Sequence, residues 1–500
     1  MVASKGAKRS RIILVYPRVG TELGEFGGAI GMPYSILTAA AELNDSFDLV
    51  LIDQRIDKNW KQTLADAMTP SCLCVGVSSM TGTQLKYALD IARETRAINP
   101  KIPIVWGGIH VTILPEQSLK DPLADIVIRG EGESTFLELA QALEAKKSLH
   151  GILGLYFKEN GKIIANPPRP PLDMNTLKPI PWKLVNPERY IMKGQLTKNT
   201  KREFDIGETS RGCPYTCTFC YNSQKTHFTW RAMSPEKTVS VIKDAIKRFN
   251  IDGFWMRDDN FFVDFKRVDK ILELLKKERI SIPWYCPGIR IDTVNRLPQE
   301  LLGKLIKSKV RRFRIGVESG SARSLKLINK LITPKDIIAA NLRLGKSKIP
   351  VEYSYIIGFP TETLEDMYET VDLMLQLKKD NPYSVSHNIN IYTPYPGTVL
   401  YEKALQMGLK EPKTMEKWSE YHHLSMNFST YTKKEEKIMK NINELSYYCS
   451  GIVYDNLPPF LRALSLPLRL WSDLRLKMKW LTFRTDLEIV KFVRQKFMRI

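Results

Sequence analysis

The sequence predicts an α/β protein with a doubly wound N-terminal domain, a partial (β/α)6 barrel of the TIM type and a helical C-terminal region. Short apolar segments alternate with helical patterns through most of the chain, which is typical of parallel sheets buried on both faces. The chain has 500 residues, more than a single hydrophobic core usually serves. A proline-rich stretch, Asn166-Pro-Pro-Arg-Pro-Pro171, separates two series of such strands.

Residues 1–150 are predicted to form the doubly wound domain. Tyr34–Leu43 has a helical pattern, and strands are predicted at 11–17, 49–53, 74–78, 104–108 and 125–130, the last of which closes the sheet. Ligands of such folds bind beyond the carboxyl ends of the strands. The small and polar residues at these ends are the binding candidates: Ser78, Ser79, Thr81, Gly82, Gly107, Gly108, His110, Gly130, Glu131 and Gly132.

Residues 151–200 are predicted to be a stiff, proline-rich linker. Residues 201–405 are predicted to form the barrel, with strands at 204–206, 253–256, 284–288, 312–316, 352–357 and 386–392. The active mouth of such a barrel lies at the carboxyl ends of its strands. Residues 406–500 are predicted to be a helical, basic C-terminal region.

Three of the seven cysteines, Cys213, Cys217 and Cys220, lie at CxxxCxxC spacing after the first barrel strand. Three thiolates hold three irons of a [4Fe–4S] cube and leave the fourth iron open, whereas ordinary electron-transfer clusters have four cysteine ligands. A structural zinc site also needs a fourth ligand, and His227 is the nearest candidate. Because its surroundings are predicted to be loop without paired knuckle turns, the sequence favours the open cluster.

The segment from Phe204 to Asn222 resembles the first strand and cluster loop of radical S-adenosylmethionine (SAM) enzymes. The resemblance implies that the open iron chelates the amino and carboxylate groups of SAM. Electron transfer to the sulfonium then gives a 5′-deoxyadenosyl radical. The resemblance also implies that the backbone of Phe219 reaches the adenine.

Motifs after the later barrel strands extend this resemblance. They imply the following SAM contacts: the amino group at Asp258, Asp259 and Asn260, the ribose hydroxyls or the methionyl carboxylate at Glu318 and Ser319, and the adenine at Ile357 and Gly358. Arg290, after the third strand, is expected to pair with a carboxylate.

The strand ends of the first domain, placed ahead of this barrel, resemble the cobalamin-binding domain of the cobalamin-dependent class of the family. Glycine lets the backbone approach a flat corrin. The Asp-x-His-x-x-Gly signature that supplies a lower histidine ligand in other cobalamin proteins is absent, since the nearest analogue, Asp53–Asp57, has no histidine. His110 is expected to be a hydrogen-bonding loop residue rather than a cobalt ligand. A catalytic residue is not identified; the candidates for corrin stacking or proton relay are Tyr215, Tyr221 and Tyr395.

The resemblance implies a C-methyltransferase acting on an unactivated carbon of a lipid-like, tetrapyrrole or natural-product substrate, with an external electron donor such as flavodoxin or ferredoxin. An oxidative cyclase or rearrangement enzyme of the same class is an alternative. A tRNA methylthiotransferase is another, although only Cys72 and Cys74 are available for its second, N-terminal cluster. The third is a non-catalytic cobalamin or redox sensor, against which the ribose and adenine motifs argue.

The net charge is +21 at pH 7, but the basic residues are not gathered in an RNA-binding motif, so nucleic acid is not an expected partner. Residues 461–500 hold ten Lys/Arg and three Asp/Glu, a net +7, among many Leu, Trp, Phe and Met. This pattern predicts either a helix on an anionic membrane surface or a terminal helix docked on the barrel, and both stay open. The sequence shows no spanning run and no cleavable apolar leader, which with its cysteine usage predicts a cytoplasmic protein, or a peripheral one at the inner face of the membrane.

Overall fold

A computed structural model describes residues 9–20, 30–194, 196–197, 199–222, 228–421, 431–450, 462–463 and 465–493. The chain forms two compact units. The first combines Met1–Ile191 with Glu411–Ser425, and the second combines Met192–Lys410 with Met426–Ile500. The first unit is therefore longer than the predicted N-terminal domain and includes a segment from the far end of the chain.

The first unit contains a seven-stranded sheet of order β2-β1-β3-β4-β5-β6-β7. Its strands are β1 (Arg11–Tyr16), β2 (Asp48–Asp53), β3 (Cys72–Ser78), β4 (Ile104–Gly107), β5 (Ile126–Ile128), β6 (Leu155–Glu159) and β7 (Lys162–Ala165). The first five are parallel, in the doubly wound order whose ligand crevice lies between β1 and β3. The prediction that the sheet closes at residue 130 was wrong, because β6 and β7 add an antiparallel hairpin. That hairpin lies at the sheet edge. Leu155 and Phe157 are buried, but the other residues of the hairpin are partly or fully exposed, so it lacks the apolar run that marks the inner strands.

Six helices connect these strands, and a short one comes from the returning segment. They are α1 (Tyr34–Leu43), α2 (Trp60–Ala67), α3 (Thr83–Ile98), α4 (Ile109–Ile113), α5 (Pro115–Leu119), α6 (Glu133–Glu144) and, in the returning segment, α15 (Met415–Ser419). Apolar residues of α1 and α6 pack with the sheet in one core, which includes Leu14, Ala40 and Leu139.

The second unit contains a six-stranded parallel sheet of order β15-β14-β13-β12-β11-β8. Its strands are β8 (Glu203–Asp205), β11 (Gly253–Trp255), β12 (Trp284–Ile289), β13 (Val310–Glu318), β14 (Val351–Ile357) and β15 (Ser384–Ile391), and a separate antiparallel pair is formed by β9 (Ser210–Gly212) and β10 (Trp230–Ala232). All six predicted barrel strands are present, which confirms the partial (β/α)6 barrel.

Several helices of the second unit begin at clear capping signals. Thr333 and Thr363 each form a capping box with an aspartate three residues later. The helices are α7 (Pro235–Phe249), α8 (Phe265–Lys277), α9 (Ile291–Arg296), α10 (Gln299–Lys307), α11 (Ala322–Leu327), α12 (Pro334–Lys346), α13 (Leu364–Asp380), α14 (Val399–Gln406), α16 (Lys433–Cys449), α17 (Leu466–Lys477) and α18 (Thr485–Val493). The last three confirm that the C-terminal region is helical.

The two faces of the barrel sheet differ in chemistry. On β13, Phe313, Ile315 and Val317 are fully buried on one face. The same face of β14 carries Tyr353, whose hydroxyl donates to Asn341 of α12, so this is the side covered by helices. The opposite, concave face is therefore left for polar residues and ligands.

Candidate active site

The cysteine loop follows β9, where the antiparallel pairing of β9 with β10 fixes the direction of the chain before Cys213. The loop is held by hydrogen bonds to the last residue of α11 and to the residue after it. Thr218 donates from its backbone N–H to the carbonyl of Ile328 (3.0 Å) and from its hydroxyl to that of Leu327 (3.1 Å). Cys217 is buried, whereas Cys213 and Cys220 are partly exposed.

Two side chains from later strands point donors at the cysteine sulfurs. The Asn260 amide donates to Cys213 Sγ (3.6 Å), and the Arg290 guanidinium donates to Cys217 Sγ (3.4 Å). Hydrogen bonds to sulfur stabilise thiolate ligands and tune a cluster's reduction potential. Burial raises the pKa of Cys220 to about 11, so iron binding has to displace its proton. This donor set fits three thiolates that ligate iron.

Arg290 is itself held rigidly, as predicted, by a carboxylate. It donates to Asp292 (2.8 Å) and to the carbonyl of Lys330 (2.6 Å), and it lies 3.6 Å from the centre of the Tyr215 ring. The Tyr215 hydroxyl donates to the same Asp292 (2.7 Å). Burial and this hydrogen bond raise the pKa of Tyr215. Through its ring and its hydroxyl, Tyr215 contacts both members of the Arg290–Asp292 pair.

The three candidates after β11 differ in what they contact. Both oxygens of Asp258 are used within the protein, by the backbone and hydroxyl of Thr209 and by the hydroxyl of Ser210, so Asp258 supports the start of the cysteine loop. Asp259 accepts from the backbone of Gly212 (3.0 Å). Asn260 Oδ1 is buried and has no hydrogen-bond partner among the described residues. Of the three, Asn260 thus keeps an acceptor for a ligand.

Glu318 ends β13 with a left-handed backbone (φ 67°), a strained conformation for a side chain of this size. Its carboxylate accepts from Lys330 Nζ (2.7 Å), a buried lysine. A Cβ on Gly316 would overlap this carboxylate, so the glycine makes room for it. The hydroxyl of Ser319 shares a hydrogen bond with Thr370 (3.0 Å) and lies in the protein interior.

The turn after β14 is organised by Glu362. This carboxylate accepts from the backbone N–H groups of Gly358 (2.5 Å) and Phe359 (3.1 Å), and from a serine hydroxyl of α11. Gly358 has φ 82°, which favours glycine, and Ile357 is fully buried. The Phe219 ring lies 6.0 Å from that of Phe359, which joins the cysteine loop to this turn.

The remaining tyrosine candidates, Tyr221 and Tyr395, have exposed rings. Neither lies in the hydrogen-bonded group around Arg290. His227, the candidate fourth zinc ligand, lies outside the described residues. Within the part of the chain that the structure describes, no three His, Cys, Asp or Glu side chains are placed to hold a single metal ion.

In the first unit, two glycines at strand ends open onto free space. A Cβ built on Gly107 or on Gly130 meets no described atom within 4 Å. By contrast, a Cβ on Gly108 (φ 97°) would overlap the Ser79 backbone, because the Ser79 N–H and hydroxyl both donate to the carbonyl of Gly107 (2.8 Å each). The ends of β3 and β4 are thus tied together by Ser79 and leave an open cradle beside the tie, which fits a flat ligand.

His110 is fully buried at the start of α4. Its Nδ1 shares a hydrogen bond with the Thr81 hydroxyl (2.9 Å), and its ring lies edge-on to Trp418, at 6.0 Å. Burial lowers the pKa of His110 to about 3, so the ring is neutral. This position agrees with a hydrogen-bonding role. Gly82 completes the group, since its N–H donates to the carbonyl of Trp418 (3.1 Å).

The other candidates of this unit have local roles. The Ser78 hydroxyl lies 3.4 Å from that of Ser35. Glu131 accepts from the backbone of Leu172 (2.8 Å), and Gly132 caps α6.

Comparison with known proteins assigns a family to each of two segments of the chain. The model of the Radical SAM superfamily matches residues 208–374, and that of the B12 binding domain matches residues 26–140. An uncharacterized methyltransferase of Pyrococcus horikoshii is 32% identical over 85% of this chain and 87% of its own length. The chain belongs to the cobalamin-dependent radical SAM family. It is a radical SAM enzyme, and its cofactors are those of the family: the [4Fe–4S] cluster, SAM and cobalamin.

The chain is also similar to an enzyme of known reaction and to a solved structure. An anaerobic magnesium-protoporphyrin IX monomethyl ester cyclase of Rubrivivax gelatinosus is 29% identical over 66% of this chain and 58% of its own length. The structure of the cobalamin-dependent SAM radical enzyme OxsB has a TM-score of 0.70 at 19% identity, over 97% of this chain and 75% of that one. The structural likeness concerns the fold.

Sequence reasoning missed several residues that build the sites. Lys330 and Trp418 contact residues distant from them in sequence, Glu318 and His110. Glu362 lies only four residues after Gly358, from whose backbone N–H it accepts, but it was not among the predicted site residues. Cys72 and Cys74, considered for a second cluster, lie in β3, where burial raises the pKa of both thiols.

Proposed function

We propose that this enzyme is a C-methyltransferase acting on an unactivated carbon of a lipid-like, tetrapyrrole or natural-product substrate. The observation that carries the proposal is the donor set at the cysteine loop, in a chain that also has an open glycine cradle in its first unit. When bound, the cluster and SAM supply a 5′-deoxyadenosyl radical, and cobalamin supplies the transferred methyl group.

The residues have the following proposed roles. Cys213, Cys217 and Cys220 hold three irons, while Arg290 orients Cys217. Asn260 Oδ1 accepts from the SAM amino group, since a buried acceptor without a partner costs free energy that such a donor recovers. The SAM ribose is proposed to contact Glu318, whose carboxylate Lys330 holds in place, and the neighbouring Ser319. The adenine is proposed to contact Phe219, Ile357 and Gly358.

In the first unit, the cobalamin cradle is proposed at Gly107 and Gly130, where side chains are absent. Ser79 holds the two strand ends together beside it by donating to the Gly107 carbonyl, and Gly108 allows the close approach of the Ser79 backbone. His110 positions Thr81 instead of ligating cobalt.

The basic side chains on the concave barrel face suit a substrate that carries an anionic group. Glu352 is paired there with Arg312 and His387. Arg314 lies in register with Glu352 and is half-buried. Its charge helps to lower the pKa of Glu352, but Arg314 forms no hydrogen bond or ion pair with a described residue. A carboxylate or phosphate on the substrate would neutralise this guanidinium.

Arg314→Gln is expected to lower product formation and leave SAM cleavage without substrate unchanged, with partial rescue by Arg314→Lys. If SAM cleavage falls as well, the anion bound by Arg314 is the SAM carboxylate.

The proposed reaction is tested by anaerobic reconstitution with iron, sulfide and hydroxocobalamin, followed by incubation with SAM labelled in its methyl group and extracts of lipids and tetrapyrroles. A product that carries the label, together with 5′-deoxyadenosine, is the expected result. A dehydrogenated or cyclised product without the label would favour the oxidative cyclase, the alternative supported by the likeness to the Rubrivivax cyclase.

An external reductant is required by this chemistry, and we propose a flavodoxin or ferredoxin. We also propose peripheral membrane contact through the C-terminal region of a cytoplasmic enzyme. Within the described residues, no helix combines the length and the apolar character needed to cross a bilayer.

A further inference from the structure

Helix α17 has a buried face and an exposed apolar face. The buried face includes Ser472 and Leu476. The other, an arc of about 140° at 100° per residue, is exposed to solvent. Its side chains, each 40% to 59% exposed, are Leu466, Leu470, Trp471, Leu474 and Met478.

The exposed surface continues into the turn after α17. Trp480 and Phe483 are exposed to a similar degree, and the Trp480 ring lies 6.4 Å from that of Trp471. We call these two residues and the five on the arc the C-terminal patch. A contiguous exposed surface of large apolar side chains usually marks an interaction site.

The turn that presents the patch is held in place by a buried arginine. Arg475, only 1% exposed, donates to the carbonyls of Trp480 (2.7 Å) and Phe483 (2.5 Å) and pairs with Asp486 (2.6 Å). Asp486 also accepts from the Trp471 indole (2.7 Å). The aromatic side chains are therefore fixed outward by a satisfied network of hydrogen bonds, at the cost of leaving their apolar area in water.

The charge around the C-terminal patch favours an anionic lipid surface over other binding partners. The three acidic residues of 461–500 are already paired: Asp473 with Lys378 (2.7 Å), Asp486 with Arg475 (2.6 Å) and Glu488 with Arg484 (2.7 Å). Lys477 lies within the exposed arc and has no hydrogen-bond or ion-pair partner among the described residues. Residues 461–500 carry a net +7, from ten basic and three acidic residues. Tryptophan and phenylalanine favour the membrane interface, and lysine favours anionic headgroups.

We propose that the C-terminal patch docks on an anionic lipid bilayer, with its aromatic and leucine side chains in the interface and Lys477 at the headgroups. This surface lies on the unit that contains the barrel, so docking would bring the enzyme to membrane-dissolved substrates. The proposal does not depend on which reaction the enzyme performs.

The test is co-sedimentation of the full-length, reconstituted enzyme with vesicles of phosphatidylcholine alone or mixed with phosphatidylglycerol. Binding to the mixed vesicles, weakened by salt, is expected. The double variant Trp480→Ser with Phe483→Ser should bind at least tenfold more weakly. Ile306→Ser on α10, which removes a side chain of similar exposure (46%), should bind as the wild type does.

Unchanged SAM cleavage in the double variant shows that the fold and the cofactor sites are intact. The proposal is overturned if the wild type does not bind the mixed vesicles, or binds both vesicle types equally. It is also overturned if the patch mutations convert a stable dimer into a monomer, because a second copy of the chain would then be the occupant.

Discussion

The cysteine loop of the second unit and the glycine cradle of the first are built in opposite ways. The loop places three thiols within eight residues, from Cys213 to Cys220, and later strands add donors to two of the sulfurs. The cradle lies at the ends of separate strands, where Gly107 and Gly130 leave open space because they have no side chains. A site made by ligating side chains leaves a short pattern in the sequence, whereas a site made by backbone shape leaves only a weak one.

Loss of one thiol should have the largest effect. Cys217→Ala is expected to remove the cluster and to reduce SAM cleavage to background, because the two remaining thiolates cannot hold the cube. Iron and sulfide counts and the yield of 5′-deoxyadenosine measure this. Cys449→Ala, which removes a buried thiol of α16, should retain the cluster; equal cluster loss in both variants would contradict the assignment.

Substitutions at the neighbouring residues Gly107 and Gly108 distinguish backbone strain from the loss of space for a ligand. Gly108→Ala should destabilise the fold by about 1–3 kcal/mol, because its left-handed φ and the Ser79 backbone exclude a Cβ. Gly107→Ala should leave stability unchanged, since its Cβ meets open space. Gly107→Val should weaken cobalamin retention at unchanged stability, as seen by corrin absorbance after gel filtration and by urea unfolding. Full corrin retention in Gly107→Val would place the cofactor elsewhere.

Arg290→Gln should shift the reduction potential of the cluster without removing the cluster. The variant loses a charged donor to Cys217 Sγ, and this lowers the reduction potential by up to about 60 mV, the one-electron equivalent of about 1.4 kcal/mol. Electron paramagnetic resonance at poised potentials measures the shift. Arg296→Gln, which alters an exposed contact of the same Asp292, is the matched control and should leave the potential unchanged.

Glu362 is expected to affect only the pH dependence of stability and not the cofactor sites. Burial raises the pKa of Glu362 from 4.5 in the unfolded chain to about 7. The folded chain therefore keeps a proton that the unfolded chain loses, and the free energy of unfolding falls as the pH rises between these values, by up to about 3–4 kcal/mol at about 1.4 kcal/mol per pKa unit.

Glu362→Gln should remove this dependence in urea unfolding at about pH 5 and about pH 8. The control is Glu435→Gln, at the start of α16. Hydrogen bonds from Thr432 lower the pKa of Glu435, so its stabilisation is lost on acidification, the opposite sign. An unchanged slope in Glu362→Gln would show that this carboxyl stays charged.

Strand positions were predictable wherever a strand is buried on both faces, because apolar runs such as Ile12–Val15 require no distant information. The edge hairpin of β6 and β7 was missed, since partly exposed strands are stabilised by a neighbour that the local sequence does not name. The same holds for Glu411–Ser425, which joins the first unit through Trp418 and its contact with His110.

By itself, the sequence determined the α/β class and the order of the two cofactor domains, and it predicts the three cysteine ligands of the cluster, because each depends on residues close together in the chain. Only the tertiary structure decided which candidates keep an atom for a ligand. It distinguishes Asn260, with its unpartnered oxygen, from Asp258, whose carboxylate is used by Thr209 and Ser210. The physical reason is that hydrogen-bond satisfaction depends on neighbours brought together by folding, and spacing along the chain does not record them.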